Sequence, residues 1–285
     1  MNNTSPQTRK PGWLKTRPGG SGQYAATAAI LSARGLHTIC QSGRCPNKGA
    51  CWERGTATFL IGGNICTRSC KFCNTPTGKP LPLAADEPGK IAEAIRLMGL
   101  THAVITSVDR DDLPDLGARH WAETIVHIKA MNPATTVEAL IPDFQGKTKH
   151  LDTLIQASPD IIAHNMETVK RLTPLVRSRA KYDTSLAVLR HIARSGIPAK
   201  SGLMLGLGET VEETAQTIQD IYNTGCRLLS IGQYLQPSAR NLPVSAYISP
   251  QQFDDYKTLA LQTGYKHVES APLVRSSYRA EKYKT

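Results

Sequence analysis

Six strand-like stretches alternate with six stretches of helical periodicity between residues 57 and 264. The strand-like stretches are rich in β-branched and apolar residues and read TATFLIGG, HAVITSVD, TTVEALIPD, DIIAHNMET, AKSGLMLGLG and RLLSIGQYLQP. Strands that alternate with helices predict a parallel sheet with right-handed crossovers. Because a complete barrel of this kind has eight units, six units predict a partial (β/α)6 barrel of the α/β class, with its functional residues in the loops that follow the strands.

The ends of several predicted helices carry recognisable signals. Thr210 and Glu213 have the spacing of a capping box, and Asp183 is predicted to cap the N-terminus of another helix. The pattern divides the chain into an N-terminal extension of residues 1–56, a barrel of residues 57–264 and a C-terminal extension of residues 265–285. The Pro-, Gly- and Lys/Arg-containing start of the first extension predicts a mobile tail.

Six of the seven cysteines lie between residues 40 and 73, and such clustering favours metal binding over a disulfide framework. Cys66, Cys70 and Cys73 form a CxxxCxxC pattern directly after the first predicted strand. One interpretation is a zinc site in which His102 or His164 is the fourth ligand. The other is an iron–sulfur cluster, which binds thiolates from a short loop. Three thiolates would leave one iron of a four-iron cluster open to a small molecule.

The segment CTRSCKFCN, with Phe72 between the last two cysteines, resembles the cluster loop of the radical S-adenosylmethionine superfamily. The resemblance implies that Cys66, Cys70 and Cys73 hold a [4Fe–4S] cluster whose open iron binds S-adenosylmethionine. In that superfamily, one-electron reduction cleaves this cofactor and releases a 5′-deoxyadenosyl radical, which removes hydrogen from unactivated carbon. The three cysteines are therefore predicted to be catalytic.

The segment GLMLGLGE resembles the glycine-rich strand that contacts adenine in the same superfamily, which implies this role for Gly202, Met204 and Gly206. Asn165 and Glu167 are spaced by two residues, so a strand would place both side chains on one face. There they could hydrogen-bond ribose hydroxyls; the alternative is that one of them caps the loop.

Charged and polar residues after two other strands complete the predicted cofactor contacts. Arg177 is the predicted partner of the methionyl carboxylate, because arginine forms bidentate pairs with carboxylates, and Arg179 is the alternative. The segment TSVDRDD ends the second strand, where the superfamily contacts the methionyl amine. The resemblance implies this role for Thr106, Ser107 and Asp109.

A second triad, Cys40, Cys45 and Cys51, lies in CQSGRCPNKGACW and also lacks a fourth thiol. The seventh cysteine, Cys226, precedes the last strand and is predicted to be a small buried hydrophobe. With the terminal RSSY at residues 275–278, the two triads resemble the lipoyl synthase family over about residues 30–282. The resemblance implies that the second triad holds an auxiliary [4Fe–4S] cluster, with Ser277 as its fourth ligand.

The same resemblance implies a reaction and its partners. The reaction would insert sulfur, taken from the auxiliary cluster, at carbons 6 and 8 of an octanoyl chain amide-linked to a carrier lysine. The implied partners are an octanoylated lipoyl carrier domain or H protein, an electron donor such as ferredoxin or flavodoxin, and iron–sulfur assembly proteins. Rival interpretations are another sulfur-inserting radical enzyme, of the biotin-synthase or tRNA-methylthiolating kind, and a basic zinc-binding nucleic-acid module.

The formal net charge of +11 favours acidic partners, although a basic solvated surface would give the same number. Aromatic residues make up only 6%, which argues against a nucleic-acid module with interleaved aromatics. No apolar run approaches the roughly 18 residues of a membrane helix, and the N-terminus lacks a secretory signal. We therefore expect a cytoplasmic protein that binds neither nucleic acid nor membrane.

Overall fold

The computed structural model describes residues 10–16, 19–278 and 280. Part of the predicted N-terminal tail and most of the basic C-terminal end lie outside the described residues. No helix within the described ranges is long and apolar enough to cross a membrane.

Eight strands form one sheet in chain order: β1 His37–Thr38, β2 Thr58–Ile61, β3 His102–Ser107, β4 Thr136–Leu140, β5 Ile161–Ala163, β6 Ala199–Leu205, β7 Leu228–Gln233 and β8 His267–Ser270. The six predicted strands correspond to β2–β7, and all their pairings are parallel. No pairing joins β1 to β8 within the residues described, so the barrel is open, as six units predict.

Ten α-helices are described: α1 Gly22–Ala33, α2 Ile39–Ser42, α3 Lys48–Glu53, α4 Glu87–Leu97, α5 Ala118–Met131, α6 Thr148–Gln156, α7 Thr173–Val176, α8 Tyr182–Arg194, α9 Val211–Asn223 and α10 Pro250–Thr263. The predicted capping box of α9 is present, with Thr210 and Glu213 each accepting from the other's backbone N–H. The predicted cap Asp183 is wrong, because α8 begins at Tyr182 and its N-cap is Lys181, two residues before the predicted one. Asp183 lies in the first turn instead, where a negative charge complements the helix dipole.

The two extensions do more than flank the predicted barrel. β1 pairs antiparallel with β2, and β8 pairs parallel with β7, so each extension adds one strand to an edge of the six-stranded sheet. These strands have only two and four residues, too short for a periodic pattern to show in the sequence.

Alternation along the strands separates an apolar outer face from a more polar interior. In β6, Ala199, Leu203 and Leu205 belong to the main apolar core beneath the helices. Gly202 and Met204, which alternate with them, line the cavity inside the barrel. Side chains of a strand point to opposite faces in turn. The outer face therefore packs against the helices, and the side chains of the inner face are available to contact a ligand.

Candidate active site and its two cysteine triads

A cavity of about 560 Å³ lies inside the barrel and opens at the ends of the strands. Its volume falls within the roughly 300–1,000 Å³ typical of ligand sites. Five of the six clustered cysteines line it: Cys40, Cys45, Cys66, Cys70 and Cys73. The fold therefore brings the two triads to one cavity, although they belong to different parts of the chain.

The first triad lies on a loop that the backbone holds at both ends. Cys66 donates its N–H to Pro76 O (2.8 Å) and accepts from Gly78 N (3.0 Å). Its thiol sulfur accepts from the backbone N–H groups of Arg68 (3.4 Å) and Asp109 (3.3 Å). Burial and the nearby Asp109 carboxylate raise the pKa of Cys66 to about 12. A bound metal cluster would reverse this shift, because a metal keeps its ligating thiol deprotonated.

Arg68, inside the same loop, is a residue that sequence reasoning missed. Its guanidinium donates to both carboxylate oxygens of Asp111 (2.7 and 2.8 Å) and lies 2.9 Å from Asp143 Oδ1. It also lies 3.3 Å from Asp109 Oδ1, and only 4% of its side chain is exposed. The arginine therefore joins the cysteine loop to the ends of β3 and β4. A lone arginine in a polar loop carries no sequence signal for this role.

Asn165 and Glu167 both line the cavity, but the reason differs from the prediction. The strand that should carry them ends at Ala163, so they do not share a strand face. Glu167 takes a left-handed backbone conformation (φ 68°) and exchanges backbone hydrogen bonds with β6. Its carboxylate accepts from Asn165 Nδ2 at 3.2 Å. Burial raises the pKa of Glu167.

One atom of this pair points to a polar ligand. Asn165 Oδ1 is buried and has no hydrogen-bond partner among the described residues. A Cβ at Gly202 would lie 2.7 Å from it, so only glycine leaves this oxygen its space. Since an unpaired buried carbonyl costs free energy, the arrangement fits a cofactor that donates a hydrogen bond here.

The remaining predicted cofactor contacts separate into two groups. Arg177 and Met204 line the cavity, and Arg177 donates to Ser185 Oγ at 2.8 Å. Arg179 is 63% exposed and pairs with Asp111 at 3.2 Å, so its placement does not favour it over Arg177. Gly206 does not line the cavity; a Cβ there would meet Gln233 Nε2 and the carbonyl of Ala246 instead, so packing accounts for the glycine.

The residues proposed to contact the methionyl amine also line the cavity: Thr106, Ser107 and Asp109. Thr106 Oγ1 donates to Leu140 O at 3.0 Å, and Ser107 Oγ accepts from Trp121 Nε1 at 3.1 Å. Asp109 is engaged by Arg68 and by the Cys66 thiol (3.6 Å). These assignments remain predictions.

The second triad is spread over two short helices and the turn between them. Cys40 lies on α2, Cys51 on α3, and Cys45 donates its N–H to Cys40 O at 3.1 Å. Burial and then the neighbouring Cys45 raise the pKa of Cys40 to about 12. Cys51 contributes in the same direction, so the sulfurs of Cys45 and Cys51 both lie near that of Cys40.

The two serines of RSSY point to different neighbours. Ser277 Oγ accepts from Thr58 Oγ1 at 2.8 Å, and the backbone N–H of Thr58 also donates to the Cys40 thiol. Ser276 Oγ instead accepts from Asn165 Nδ2 at 2.7 Å. Ser277 is thus the serine beside the second triad, and Ser276 the one beside the predicted cofactor contacts.

The histidines proposed as zinc ligands are placed elsewhere or are already engaged. His102 begins β3, at the N-terminal end of the parallel strands, whereas the cysteine loop follows the C-terminal end of β2. His164 lines the cavity, but its ring nitrogens contact Ile141 O and Ser185 Oγ, each at 3.0 Å. Nowhere in residues 10–16, 19–278 and 280 do three or more His, Cys, Asp or Glu side chains converge as a single metal ion requires. The same holds for the sulfurs of each triad, so it is the placement of the two histidines that argues against the zinc interpretation.

The prediction for Cys226 is confirmed. Its side chain is fully buried just before β7, and its thiol donates to Ala199 O at 3.2 Å. Burial raises the pKa of Cys226 to about 12. It lies at the entry of the strand, away from the cavity, and takes no part in either triad.

Solved structures share the architecture. SuiB of Streptococcus suis bound to S-adenosylmethionine aligns with a TM-score of 0.61 and 10% identity, covering 75% of this chain and 50% of that chain. Methylornithine synthase aligns with a TM-score of 0.55 and 13% identity, covering 93% of this chain and 86% of that chain. At such identities the likeness concerns the fold alone.

Sequence relatives are far closer. Residues 60–221 match the family model of the Radical SAM superfamily. A lipoyl synthase of Bacteroides thetaiotaomicron is 62% identical over 277 residues, which are 97% of this chain and 98% of the relative. A lipoyl synthase of Christiangramia forsetii is 53% identical over 275 residues, which are 96% and 94% of the two chains. The chain therefore belongs to the lipoyl synthase family of radical S-adenosylmethionine enzymes.

Proposed function

We propose that this chain inserts sulfur at carbons 6 and 8 of an octanoyl group held on a lysine of a lipoyl carrier protein. The observation that carries the proposal is the convergence of two cysteine triads on one cavity, with Ser277 beside the second. A radical enzyme that only abstracts hydrogen needs one cluster. A second triad at the same cavity suits a reaction whose product contains new sulfur.

Cys66, Cys70 and Cys73 would hold the cluster that membership of the superfamily implies, with S-adenosylmethionine at its open iron. Together these groups supply a 5′-deoxyadenosyl radical able to remove hydrogen from unactivated carbon. The chain's own contribution here is placement. Arg68 ties the loop to the ends of β3 and β4, and the backbone of Pro76 and Gly78 holds Cys66.

The cofactor contacts are assigned by the chemistry of each side chain. Asn165 Oδ1 would accept a hydrogen bond from a ribose hydroxyl, and Glu167 would accept another. Arg177 would pair with the methionyl carboxylate. Gly202 and Met204 would border the adenine, because β6 presents both to the cavity.

Cys40, Cys45, Cys51 and Ser277 would hold an auxiliary [4Fe–4S] cluster that supplies the sulfur. A serine oxygen is a harder ligand than a thiolate and suits a sulfide cluster less well. The iron held by Ser277 would accordingly be the easiest to release. Arg275, held inside by its hydrogen bond to Val274 O (2.7 Å), lies near Cys45 and would bring a positive charge beside this cluster.

The octanoyl chain would enter along the apolar part of the cavity wall, which includes Ile39, Leu60, Leu140 and Leu235. Burying methylene groups there is favourable by about 0.8 kcal/mol each. The carrier domain itself would remain outside, and the +11 charge of the chain would attract an acidic carrier. Carrier docking should therefore weaken with salt, while a short octanoyl-lysyl peptide should show little salt dependence.

The decisive experiment is a mass measurement. Anaerobically reconstituted protein is incubated with a chemical reductant, S-adenosylmethionine and an octanoyl-lysyl peptide. The proposal expects the reduced product to be heavier by two sulfur atoms, with 5′-deoxyadenosine formed alongside. Cys226→Ala serves as the matched control, because it removes a cysteine outside both triads and should leave the product unchanged. Formation of 5′-deoxyadenosine without any sulfur gain would contradict the proposal.

A further inference from the structure

The last described part of the chain lies inside the barrel. Gln233 N donates to Pro272 O (3.2 Å), and Asn47 Nδ2 donates to Leu273 O (2.7 Å). Further on, Ala280 is buried in a cluster with Val104, Ile161 and Leu228, which lie on β3, β5 and β7. Residues 272–278 and Ala280 therefore lie along a path from the sheet edge into the interior of the barrel.

Glycines in two strands make room for this segment. A Cβ at Gly232 would lie 2.0 Å from Val274 O, and a Cβ at Gly202 would lie 3.2 Å from Ser276 Oγ. The first separation is impossible for a real side chain, so the backbone of residue 274 packs directly on β7. The path of the segment is thus built into the barrel strands.

Lys200 makes a direct contact with the segment from within the barrel. Its ammonium group donates to Ser276 O at 2.7 Å and to the two carboxylate oxygens of Glu138 at 2.8 and 3.0 Å. An ammonium group has three N–H donors, so Lys200 can serve the Glu138 carboxylate and the Ser276 carbonyl at the same time. The side chains of Lys200 and Glu138 are 1% and 0% exposed.

A buried ion pair is a poor way to stabilise a barrel. Desolvation of the two charges offsets their attraction, and apolar residues of similar size often serve as well or better. What apolar residues cannot provide is a hydrogen-bond donor for Ser276 O. Burial lowers the pKa of Lys200, while the Glu138 carboxylate opposes this shift and directs the ammonium group. His102 Nε2 lies 3.7 Å from Glu138 Oε2, beyond hydrogen-bond distance.

We propose that Lys200 is a positioning residue that holds the RSSY segment by the carbonyl of Ser276, with Glu138 orienting Lys200. Fixing this carbonyl sets the direction of the next residue, Ser277, toward Thr58 and the second triad. The role of Ser277 as a cluster ligand rests on the proposed function. The anchoring of the segment by Lys200 rests only on the contacts described above and is independent of that function.

The test compares variants that keep or remove the donor. Lys200→Met/Glu138→Leu removes both charges together, so neither is left buried alone. Glu138→Gln is the matched control: its amide oxygen can still accept from Lys200, and Lys200 can donate to Ser276 O even as a neutral amine. Amide hydrogen exchange of residues 272–278 is followed by mass spectrometry in metal-free and reconstituted protein. We expect at least about tenfold faster exchange in this segment of the double variant, with α9 unchanged, and near-normal exchange in Glu138→Gln.

A second measurement follows the iron. Under challenge with a chelator, the reconstituted double variant should lose about half of its iron at least about tenfold faster than the unmodified protein. It should still cleave S-adenosylmethionine. Lys200→Arg, which restores a buried donor, should recover part of the protection.

Unchanged exchange in residues 272–278 of the double variant would overturn the proposal. Faster exchange throughout, including α9, would also overturn it, since the pair would then only stabilise the barrel. Should this variant not fold, Lys200→Met/Glu138→Gln gives the same comparison with a polar partner retained. Because exchange is measured without substrate, absence of any lipoyl product would contradict the proposed function while leaving this result intact.

Discussion

The two triads reach the same cavity by opposite routes. Cys66, Cys70 and Cys73 lie within eight residues, on a loop that one strand delivers and one buried arginine anchors. The second triad spans residues 40–51 and meets Ser277, more than two hundred residues later, across Thr58. The first site is a property of the barrel, whereas the second is assembled by the two extensions. We therefore expect the first to tolerate damage to the extensions and the second to depend on them.

The largest expected effects come from removing each triad. A Cys66→Ala/Cys70→Ala/Cys73→Ala variant should lose all cleavage of S-adenosylmethionine and keep about half of the iron. The equivalent variant of Cys40, Cys45 and Cys51 should also keep about half, yet still produce 5′-deoxyadenosine. The intact protein should hold about eight irons, the sum of two four-iron clusters. About one iron per chain in the intact protein would contradict the presence of two clusters. Loss of 5′-deoxyadenosine formation in both variants would contradict separate roles for the two triads.

The next effect separates the two serines. Ser277→Ala should still cleave S-adenosylmethionine but fail to complete two sulfur insertions, because the second triad loses its oxygen neighbour. Ser276→Ala removes only the acceptor of Asn165 Nδ2 and should retain both insertions at reduced rate. Product mass and 5′-deoxyadenosine are measured in the same reaction. Normal product from Ser277→Ala together with inactive Ser276→Ala would move the assignment by one residue.

The contrast between a local site and one assembled from distant segments also explains which features could be predicted from the sequence. The strands β2–β7 and the CxxxCxxC loop are local patterns of composition and spacing, and the structure has them where periodicity indicates. The two edge strands escape because His37–Thr38 and His267–Ser270 are defined by pairing with neighbours rather than by their own sequence. The wrong helix cap at Asp183 is an error of two residues, a size that is common at helix ends.

Contacts between side chains that are distant in the sequence could not be predicted either. Arg68 contacts carboxylates 41 to 75 positions away in the chain, at Asp109, Asp111 and Asp143. Lys200 was simply the second residue of a predicted strand, and Gly232 was one more glycine. Each acquires its role only when different strands meet inside the barrel, which no local pattern records.

Arg68 provides a smaller test, on stability. Arg68→Met would leave three carboxylates without their common cation, and breaking a buried charged network typically costs about 3–5 kcal/mol. The free energy of unfolding of metal-free protein is measured in urea. Arg171→Met is the matched control: Arg171 also forms a paired contact with a carboxylate, Glu213, but is 55% exposed, so its loss should cost less than about 1 kcal/mol. Equal losses in the two variants would show that Arg68 is not a buried anchor.

The smallest expected effect is the pH dependence of this same network. Burial alone would raise the pKa of Asp111, but hydrogen bonds and the charge of Arg68 outweigh burial and lower it to about 2, from an ordinary 3.8. Arg68 lowers the pKa of Asp143 as well, whereas burial raises that of Asp109. A carboxyl group whose pKa is lower in the folded state stabilises the fold above its unfolded pKa. That contribution is lost as the pH falls toward the folded value.

Metal-free protein should therefore lose about 2 kcal/mol through Asp111 between about pH 5 and pH 2, less what Asp109 returns as it protonates. In Arg68→Met the pKa of Asp111 should return toward or above its ordinary value, so this part of the acid sensitivity should disappear. The measurement is the free energy of unfolding in urea at several pH values for both proteins. Other acidic groups contribute equally to the two curves, so their difference isolates the network. Parallel curves would mean that Arg68 does not set the protonation of Asp111, and the anchor of the first triad would have to be sought in its backbone hydrogen bonds.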